Sequence, residues 1–542
     1  MKKLVSLSIA ALLSLAAFAT ETVNQDTLYV MNQGALVSKR AVSDIDSMTF
    51  SVPEGTMIEE ESAPKAKYIF LFIGDGMASP QINMAELASA VNGYRNDSDT
   101  AGIIGQLNMT SFPIVGMQRT HATNRYITGS AASATALATG YKTSINTISQ
   151  SSDNTENYKT IAELAKEEGM KVGIVSSVSI DHATPACFYA HSLTRNYYNF
   201  IASQMSTSNF DYFGGGWAKG YAPKYQDASR NPEGHIAVTD ESADMPGWSI
   251  ATTRNDFDAL NSTPAWAYTS MGDGSGSLPY IMDIDQDDNG ADITLSEFTQ
   301  KGIELMQDSE NGFFMMIEGG KIDWACHAND VVSATSNTIE FDNAIGKAVE
   351  FMNAHPDSTL IVVTGDHETG GLTIGYAATG YESALEILNN QTESYEVFDD
   401  RMKEWESSDI SEAMTAMNEV FGLGDDSNAK DPALVLTANE QMELAEAFYK
   451  SCSNPQSYES AGNTEEYLKS GGYNAFTMAI THIQNRKAGI AWTSYSHTAV
   501  PVPVLAKGAG AELFSGYYEN TKVPCLIKEA AQFTGEFPAV LD

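Results

Sequence analysis

The chain contains 542 residues, with 31 Lys or Arg against 70 Asp or Glu, and its formal net charge at pH 7 is −39. Such a negative surface repels the nucleic-acid backbone and anionic membranes, so neither is expected as a partner. An anionic substrate would also be repelled unless its site carried positive charge, which bound metal cations would supply.

The first 19 residues have the pattern of a cleavable secretion signal. Lys2 and Lys3 precede an apolar run that ends at Leu15, and residues 17–19 fit a small-x-small cleavage site. The run is too short to span a bilayer, and no later stretch reaches about 18 consecutive apolar residues. Because no Cys follows the signal, a lipid anchor is not expected. We therefore expect a soluble protein that is periplasmic or secreted.

Residues 20–64 are predicted to form a small strand-rich N-terminal segment. Short β-like runs occupy residues 28–31, 35–42 and 47–52, and a polar linker follows them. This segment precedes a change of pattern at Tyr68.

From Tyr68 onward, apolar strand-like runs alternate with amphipathic helical stretches. Four short runs, rich in branched and aromatic residues, are predicted as buried central strands: 68–73, 171–176, 312–317 and 358–364. Helical patterns lie between them, for example at 159–169 and 338–355. The alternation predicts an α/β fold with a mostly parallel central sheet and helices on both faces, in one domain spanning residues 65–542.

Residues 376–486 differ from the rest of this domain. They are acidic, favour helix and contain no candidate central strand, so we interpret them as a helical insertion. The last strands are then predicted at 490–495 and 500–506.

The four cysteines leave the redox state open. An oxidising compartment permits disulfides, but their wide spacing specifies no pairing, and free buried thiols are an equal alternative. They are Cys187, Cys326, Cys452 and Cys525.

The first chemical motif is IGDGM at 73–77, directly after a predicted strand. Glycines on both sides of Asp75 let the backbone turn and present the carboxylate at the strand end. A carboxylate there can hold one metal ion or bridge two. An ordinary Asp-Gly turn is the alternative.

The second motif, TGSAASATALATG at 128–140, predicts a tightly packed helix that begins near Ser130 and stops at Gly140. Free N–H groups and the helix dipole at its start favour an anion. Ser130 is either a nucleophile or an ordinary N-cap. A nucleophilic serine needs something that lowers the pKa of its hydroxyl. No Ser-His-Asp arrangement is evident, but a bound zinc ion could lower that pKa.

The third motif is EGGKIDWACH at 318–327. Asp323 and His327 are four residues apart, so on a helix they face one side, and together they suit zinc. Glu318 at the preceding strand end suits a harder metal such as magnesium. Cys326 could also bind zinc, although its direction on the helix differs.

The fourth motif is TGDHETGG at 364–371, again after a predicted strand. Asp366 and His367 can both reach one metal because the loop is not helical. A chance Asp-His pair in a Gly turn is the alternative. Four such clusters after four strands are much harder to attribute to chance, so the set carries the inference.

Two further segments supply candidates. His182 and Thr184 lie in a turn-like sequence, and Arg195 offers a planar fork for two phosphate oxygens, unless it is a surface helix arginine. His497 lies in the late SYSHT motif. His191 is interpreted as a packing residue.

The acidic stretch 283–298 resembles a calcium-binding loop. Asp285, Asp287 and Asn289 fall at the first, third and fifth positions, but Ser296 takes the twelfth, where such loops need Glu. An ordinary acidic turn is favoured.

Taken in chain order, these motifs resemble those of the alkaline phosphatase family, from about Tyr68 to the C-terminus. The matching motifs are IGDGM, SAASATALATG, ATPA with the later arginine, EGGKID with its histidine, GDH and the late HT. The resemblance implies an alkaline-phosphatase-like fold, two zinc ions and a third ion that is usually magnesium. It also implies hydrolysis of small phosphate monoesters through a phosphoserine.

The resemblance assigns a role to each candidate. The implied ligands of the first zinc are Asp323, His327 and His497. Those of the second zinc are Asp75, Asp366 and His367. Those of the third metal are Asp75, Thr184 and Glu318, with His182 tuning the site. The implied catalytic pair is Ser130 as nucleophile and Arg195 as phosphate clamp. Dimerisation is common in the family, so a homodimer is one expectation.

Three positions depart from many relatives. Gly129 stands where many carry an Asp that orients the arginine, so Arg195 is expected to be freer and phosphate to bind less tightly. His182 and Trp324 stand where some bacterial relatives carry Asp and Lys. An imidazole at the third site favours zinc or cobalt as alternatives to magnesium.

Other functions stay open at this point. A phosphodiesterase or another hydrolase of the same superfamily is the related alternative, whereas a sulfatase would need a Cys/Ser-x-Pro-x-Arg motif that the sequence around Ser130 lacks. A non-catalytic, calcium-stabilised binding protein is the remote alternative. It leaves the ordered set of metal ligands unexplained.

Overall fold

The computed structural model describes residues 27–32, 35–41, 65–93, 106–269, 275–284, 292–402, 405, 409–453 and 464–541. The chain divides into two compact units, Met1–Ser62 and Ala63–Asp542. In the first unit, β1 (Thr27–Asn32) pairs antiparallel with β2 (Ala35–Ala41), at two of the strand-like runs expected there. The run at 47–52, the polar linker and the secretion signal at 1–19 lie outside the described residues.

The strands of the second unit cluster around one large sheet. In chain order they are β3 (Tyr68–Gly74), β4 (Ile114–Arg119), β5 (Lys171–Ser179), β6 (Tyr212–Gly216), β7 (Ser249–Ala251), β8 (Ala265–Tyr268), β9 (Phe313–Glu318), β10 (Thr359–Gly365), β11 (Glu368–Thr369), β12 (Thr373–Ile374), β13 (Ile490–Ala491), β14 (His497–Thr498), β15 (Val502–Gly508) and β16 (Gly516–Glu519).

Among the described residues, ten of these strands form the sheet, in the order β16-β4-β15-β10-β3-β9-β5-β6-β8-β7. β15 runs antiparallel to both of its neighbours, and the other members of the sheet share one direction. The mostly parallel sheet that the sequence predicts is therefore confirmed. The four predicted central strands correspond to β10, β3, β9 and β5, which lie side by side.

Helices surround this sheet. In chain order they are α1 (Ser79–Gly93), α2 (Ser130–Thr139), α3 (Ile161–Glu167), α4 (Ala183–Ala186), α5 (Tyr198–Ser203), α6 (Glu241–Asp244), α7 (Arg254–Ala259), α8 (Leu295–Met306), α9 (Lys321–His327), α10 (Val331–Ala354), α11 (Tyr395–Met402), α12 (Ile410–Phe421), α13 (Ala438–Ser453), α14 (Thr464–Ser470), α15 (Ala475–Ala488) and α16 (Lys522–Ala531). In the part of the chain that the structure describes, no helix has the length and apolar character needed to cross a membrane.

Alternate side chains of the central strands enter two separate hydrophobic cores. Ile69 and Leu71 of β3 pack into one core with α2, α3 and α16, whereas Phe70 and Phe72 pack into the other with α8 and α10. Every residue of β3 is buried. Continuous apolar runs are what a sheet covered on both faces requires, and this is why these strands were recognisable in the sequence.

Residues 376–486 carry helices α11 to α15. Helices α11, α12, α13 and α15 contribute to a third hydrophobic core, which includes Phe398, Phe421, Phe448 and Phe476. No described strand falls between Ile374 and Ile490. This stretch is called the helical segment below.

The prediction for the end of the chain was partly wrong. Of the run 490–495, only Ile490–Ala491 is a strand, and it pairs with β12 outside the large sheet. The run 500–506 does correspond to β15. The strands β4, β6, β7, β8 and β16 were not predicted, because they are short or rich in Gly and lack a continuous apolar run.

All four cysteines are free thiols. Cys187 and Cys326 are buried, and Cys452 and Cys525 are half-buried. The sequence allowed either disulfides or free thiols, and this structure has free thiols.

Candidate metal centre

The candidate ligands lie where the central parallel strands end. β10, β3, β9 and β5 are adjacent and parallel, so their carboxyl ends meet at one edge of the sheet. Asp75 follows β3, Glu318 ends β9, and Asp366 and His367 follow β10. The turn after β5 leads into α4, which contains Thr184. The topology thus gathers residues that are far apart in sequence.

Asp323, His327 and His497 form a first group, with ligand atoms within 4.8 Å of one another. Asp323 and His327 are one turn apart on α9, and Nε2 of His327 lies 3.3 Å from Oδ2 of Asp323. His497 comes from β14, and its Nε2 lies 3.1 Å from Nε2 of His327.

The tautomers of these two histidines follow from their other ring nitrogens. Nδ1 of His327 lies 2.6 Å from the carbonyl oxygen of Tyr495, and Nδ1 of His497 lies 2.8 Å from that of Thr128. Each Nδ1–H donates to its carbonyl, so each Nε2 is directed into the group. Two Nε2 atoms and a carboxylate that converge in this way can bind one cation, as in a metal site.

Asp75, Asp366 and His367 form a second group. Nε2 of His367 lies 3.4 Å from Oδ1 of Asp75 and 3.3 Å from Oδ2 of Asp366. Thr369 donates its hydroxyl to Asp323 at 2.5 Å and so accepts from Nδ1 of His367 at 3.2 Å. Nε2 of His367 is therefore unprotonated although it faces two carboxylate oxygens. A cation bound there would relieve this repulsion.

A third group contains Asp75, His182 and Glu318. Oγ1 of Thr184 lies 3.4 Å from Oδ2 of Asp75, so the threonine belongs to the same cluster. Ser176, near the end of β5, donates its hydroxyl to Oε2 of Glu318. Oε2 of Glu318 is thus engaged by Ser176, whereas Oε1 is available to a metal ion.

The buried carboxylates have oxygens without hydrogen-bond donors. No described group donates to Oδ1 of Asp75, Oε1 of Glu318 or Oδ2 of Asp366. Burial, and then the charges of neighbouring carboxylates, raises the pKa of Asp75 well above its usual range. Burial raises the pKa of Glu318 to about 7, and burial followed by the charge of Asp323 raises that of Asp366 to about 8. Bound cations would stabilise the ionised form of these buried carboxyl groups, so the residues present fit a cluster of metal ions.

The pKa of Asp323 is shifted in the opposite direction from those of Asp75, Glu318 and Asp366. Burial opposes its ionisation, but His327 and then His497 and His367 hold its pKa well below the usual range. The first group thus combines one carboxylate with imidazoles, as zinc prefers. The third group is dominated by oxygen ligands.

Ser130 lies beside the second group, at the start of a helix. α2 begins at Ser130, and Gly129 is an extended N-cap residue that supplies no side-chain cap. The serine is buried, and its Oγ lies 3.4 Å from Nε2 of His367. The helix ends at Gly140 in a left-handed conformation, as the sequence predicts. The N-terminal end of the helix dipole is thus directed at the cluster.

Arg195 is held by His182. Its NH2 atom lies 2.9 Å from Nε2 of His182, so the guanidinium donates to the imidazole. Burial and then the charge of Arg195 lower the pKa of His182 well below its usual range, so the ring is neutral. The edge of Trp324 packs against this ring, with centroids 5.8 Å apart. Arg195 thus has His182 as a partner, which the sequence did not reveal.

Sequence reasoning also missed residues that support the ligands. Besides Ser176 and Thr369, the buried Glu368 accepts hydrogen bonds from Gln81 at 2.8 Å and from the backbone of Gly371 at 3.0 Å. It also accepts from the hydroxyl of Thr498, which joins β11 to β14. Glu368 and Thr369 stand in the motif that contains His367, so their proximity to it was the available signal.

Other candidates lie outside the three groups. Sγ of Cys326 contacts Nε2 of Gln81 at 3.9 Å and does not belong to any group among the described residues. His191 bonds to the carbonyl of Ser149 and to Glu163, as a packing residue would. Residues 285–291 of the acidic stretch lie outside the described residues.

A mostly parallel α/β sheet with buried groups of metal ligands beside a serine at a helix N-terminus is the architecture of a metal-dependent hydrolase. The alkaline phosphatase family model matches residues 66–533. The chain belongs to the alkaline phosphatase family, whose members hydrolyse phosphate monoesters. Family membership thus decides against the non-catalytic alternative.

Individual relatives support this assignment. The chain is 30% identical over 511 residues to alkaline phosphatase 4 of Bacillus subtilis (strain 168), which covers 91% of this chain and 96% of the relative. It is 28% identical over 510 residues to alkaline phosphatase 3 of the same organism, with 92% and 96% covered. The crystal structure of a cold-active alkaline phosphatase from Shewanella sp. matches with a TM-score of 0.66 and 27% identity, covering 86% of this chain and 99% of that one.

Proposed function

We propose that this chain is an exported alkaline phosphatase that hydrolyses small phosphate monoesters through a phosphoserine at Ser130. The observation that carries the proposal is the position of the Ser130 hydroxyl, 3.4 Å from an unprotonated His367 nitrogen. That nitrogen faces carboxylate oxygens of Asp75 and Asp366 that lack hydrogen-bond donors. Once a metal ion is bound by Asp75, Asp366 and His367, the Ser130 hydroxyl would lie beside that ion.

Three ions would occupy the cluster. The first zinc would be held by Asp323, His327 and His497. The second zinc would be held by Asp75, Asp366 and His367. The third ion would be held by Asp75, Thr184 and Glu318, with His182 beside them. When bound, the ions would lower the pKa of the Ser130 hydroxyl and of water and would neutralise phosphate charge.

Magnesium is the usual expectation for the third ion, and His182 adds zinc and cobalt as alternatives. Nε2 of His182 accepts from Arg195, so the imidazole would act mainly by tuning the site. Oxygen ligands from Glu318 and Thr184 suit magnesium, whereas an imidazole nitrogen suits softer divalent ions.

Ser130 would perform the first chemical step. The hydroxyl loses its proton to water, and its Oγ attacks phosphorus in line with the departing alcohol oxygen. The Oγ–P bond forms as the ester P–O bond breaks, and the departing alkoxide takes a proton from water. Water then attacks the phosphoserine, which releases phosphate and restores the hydroxyl. The N-terminal end of α2, with no side-chain cap in the way, favours the added negative charge.

Arg195 would hold the phosphoryl group during both steps. Its planar guanidinium can donate to two phosphate oxygens, and its bond to neutral His182 fixes the direction from which it does so. The arginine also supplies positive charge to a protein whose formal net charge is −39.

The remaining expectations complete the proposal. The N-terminal signal pattern directs the protein to the periplasm or the medium. Its substrates are small phosphate monoesters, neither nucleic acid nor membrane is a partner, and a homodimer is compatible with the family. Residues 65–542 form the catalytic domain, with 376–486 as a helical insertion.

The test is hydrolysis of p-nitrophenyl phosphate by purified protein across pH, before and after chelation and after zinc and magnesium are restored. Wild type should lose turnover on chelation and regain it with the metals. Ser130→Ala should lower kcat by at least about a thousandfold, since the covalent step is abolished. Incorporation of 32P at acid pH should label wild type and leave Ser130→Ala unlabelled. Full turnover in Ser130→Ala would refute the proposal.

A further inference from the structure

The helix that carries two ligands of the first metal group is fastened at its start. Lys321 is the first residue of α9, two positions before Asp323, and its side chain is only 1% exposed. Its Nζ donates to Oε2 of Glu396 at 2.8 Å and lies 3.8 Å from the centroid of the Tyr280 ring. A buried ammonium needs such partners, so the start of α9 is tied to α11 of the helical segment.

The same helix is fastened just after its end. Asp330 donates its backbone N–H to the carbonyl of Ala325 in α9, at 3.0 Å. The fully buried carboxylate of Asp330 accepts from Nε2 of Gln391, at 3.0 Å to each oxygen, and from the backbone N–H of Tyr395 at 3.0 Å. The residues that hold this carboxylate thus belong to the stretch that also contains Glu396.

Both attachments therefore come from one short stretch, residues 391–396, which we call the clamp segment. A second set of contacts keeps this stretch against the catalytic core. The backbone N–H of Ser394 donates to Asp283 at 2.8 Å, and the hydroxyl of Tyr280 donates to that of Tyr395 at 3.2 Å. Such contacts leave the segment little freedom to shift relative to α9.

We propose that the clamp segment positions α9 and thereby sets the affinity of the Asp323–His327–His497 group for its metal ion. The inference rests on the metal assignment made under the proposed function. Two ligands on one short helix keep their mutual geometry by helix periodicity, but their placement against His497 of β14 depends on how α9 is seated. Lys321, Asp330, Gln391 and Glu396 are thus positioning residues that do not touch the substrate, and the helical segment has a role in metal binding.

The chain provides a matched control within the clamp segment itself. The carboxylate of Glu393 pairs with Arg401, which lies in the same helical segment. Glu393→Gln therefore removes an acidic side chain from the same stretch while the two attachments to α9 are kept. The variants to compare with it are Glu396→Gln and Gln391→Leu.

The experiment measures zinc affinity by competition with a chromophoric chelator on the full-length protein. In Glu396→Gln and Gln391→Leu, the ion held by the first group should bind about 10–100-fold more weakly, the usual effect of losing a residue that orients ligands. Glu393→Gln should match wild type. His327→Ala identifies which ion belongs to this group. Circular dichroism and thermal unfolding of the metal-free proteins check that each variant folds.

A double variant covers the case in which a single substitution prevents folding. Lys321→Met combined with Glu396→Leu removes both members of this ion pair, so neither is left without the other. It should still bind the first ion more weakly than Glu393→Gln does. Equal affinities in all clamp variants and in Glu393→Gln would overturn the inference. If wild type and His327→Ala bound the same number of ions, the proposed metal assignment itself would fail.

Discussion

Gly129 precedes the serine at a position where many relatives carry Asp. Its φ of −119° suits any residue, and a Cβ added there would lie 3.9 Å from Cδ1 of Ile145, an ordinary contact. The absence of a side chain is therefore not forced by the backbone or by packing. It leaves Arg195 with His182 as its partner, which is a different way of orienting the same guanidinium.

Gly129→Asp should tighten competitive inhibition by inorganic phosphate roughly tenfold, because a charge-assisted hydrogen bond to Arg195 contributes about 1.5 kcal/mol. The measurement is the inhibition constant for phosphate in steady-state assays, together with kcat, which should fall if phosphate release is limiting. Gly129→Asn serves as the control of similar size without charge. An unchanged inhibition constant in Gly129→Asp would show that residue 129 does not govern the arginine.

At the scale of secondary structure, α2 depends on how it ends as well as on how it begins. Gly140 adopts a φ of +76°, and its backbone N–H bonds to the carbonyl of Ala136. A Cβ at this position would lie 2.7 Å from Cγ of Pro538, which belongs to the C-terminal part of the chain. The left-handed cap thus lets the helix that presents Ser130 stop against a packed neighbour.

Gly140→Ala should lower the free energy of unfolding by about 1–2 kcal/mol from the left-handed conformation alone, with a further loss from the clash. Gly247 is a suitable control, since its φ is +84° and an added Cβ would meet nothing within 4 Å. Urea unfolding of both alanine variants separates the two contributions. If Gly140→Ala lowered the free energy of unfolding no more than Gly247→Ala does, the contact with Pro538 would add no destabilisation.

At the scale of the whole molecule, the metal cluster ties stability to pH. In the metal-free protein, Glu318 and Asp366 keep their protons up to pKa values of about 7 and about 8. In the unfolded chain such carboxyls lose them near pH 4. Between these values the folded state binds more protons at these two groups, so they make the stability of the metal-free protein fall as pH rises. The lowered pKa values of the buried His182 and His367 act in the opposite direction below about pH 6.5, so the fall is expected above that pH.

Bound metal ions should reverse this dependence, because they require ionised ligands and so bind more tightly as pH rises. The check is the thermal unfolding midpoint from about pH 7 to about pH 8.5, above the usual histidine pKa, in chelator and with zinc and magnesium. In chelator the midpoint should fall with pH, and Asp366→Asn should flatten that fall. A midpoint of the chelated wild type that rises across this range would contradict the raised pKa values.

The sequence was sufficient for the central part of the fold. β3, β5, β9 and β10 are buried on both faces, and burial of that kind demands continuous apolar runs that are visible without a structure. The outer strands were not predicted because they lack such continuous apolar runs. β6 has the sequence YFGGG, and β16 is largely exposed, so sheet pairing and not local pattern makes them strands.

For the site, the sequence by itself determined which residue types stand at the ends of the central strands, because strand ends and glycine turns are local features. Only the tertiary structure decided how they meet. It brings His497 within 3.1 Å of His327 and aligns their tautomers through distant carbonyls. It also gives Arg195 a histidine partner and joins α9 to the clamp segment. Contacts between residues far apart in the chain depend on packing, and no local pattern encodes them.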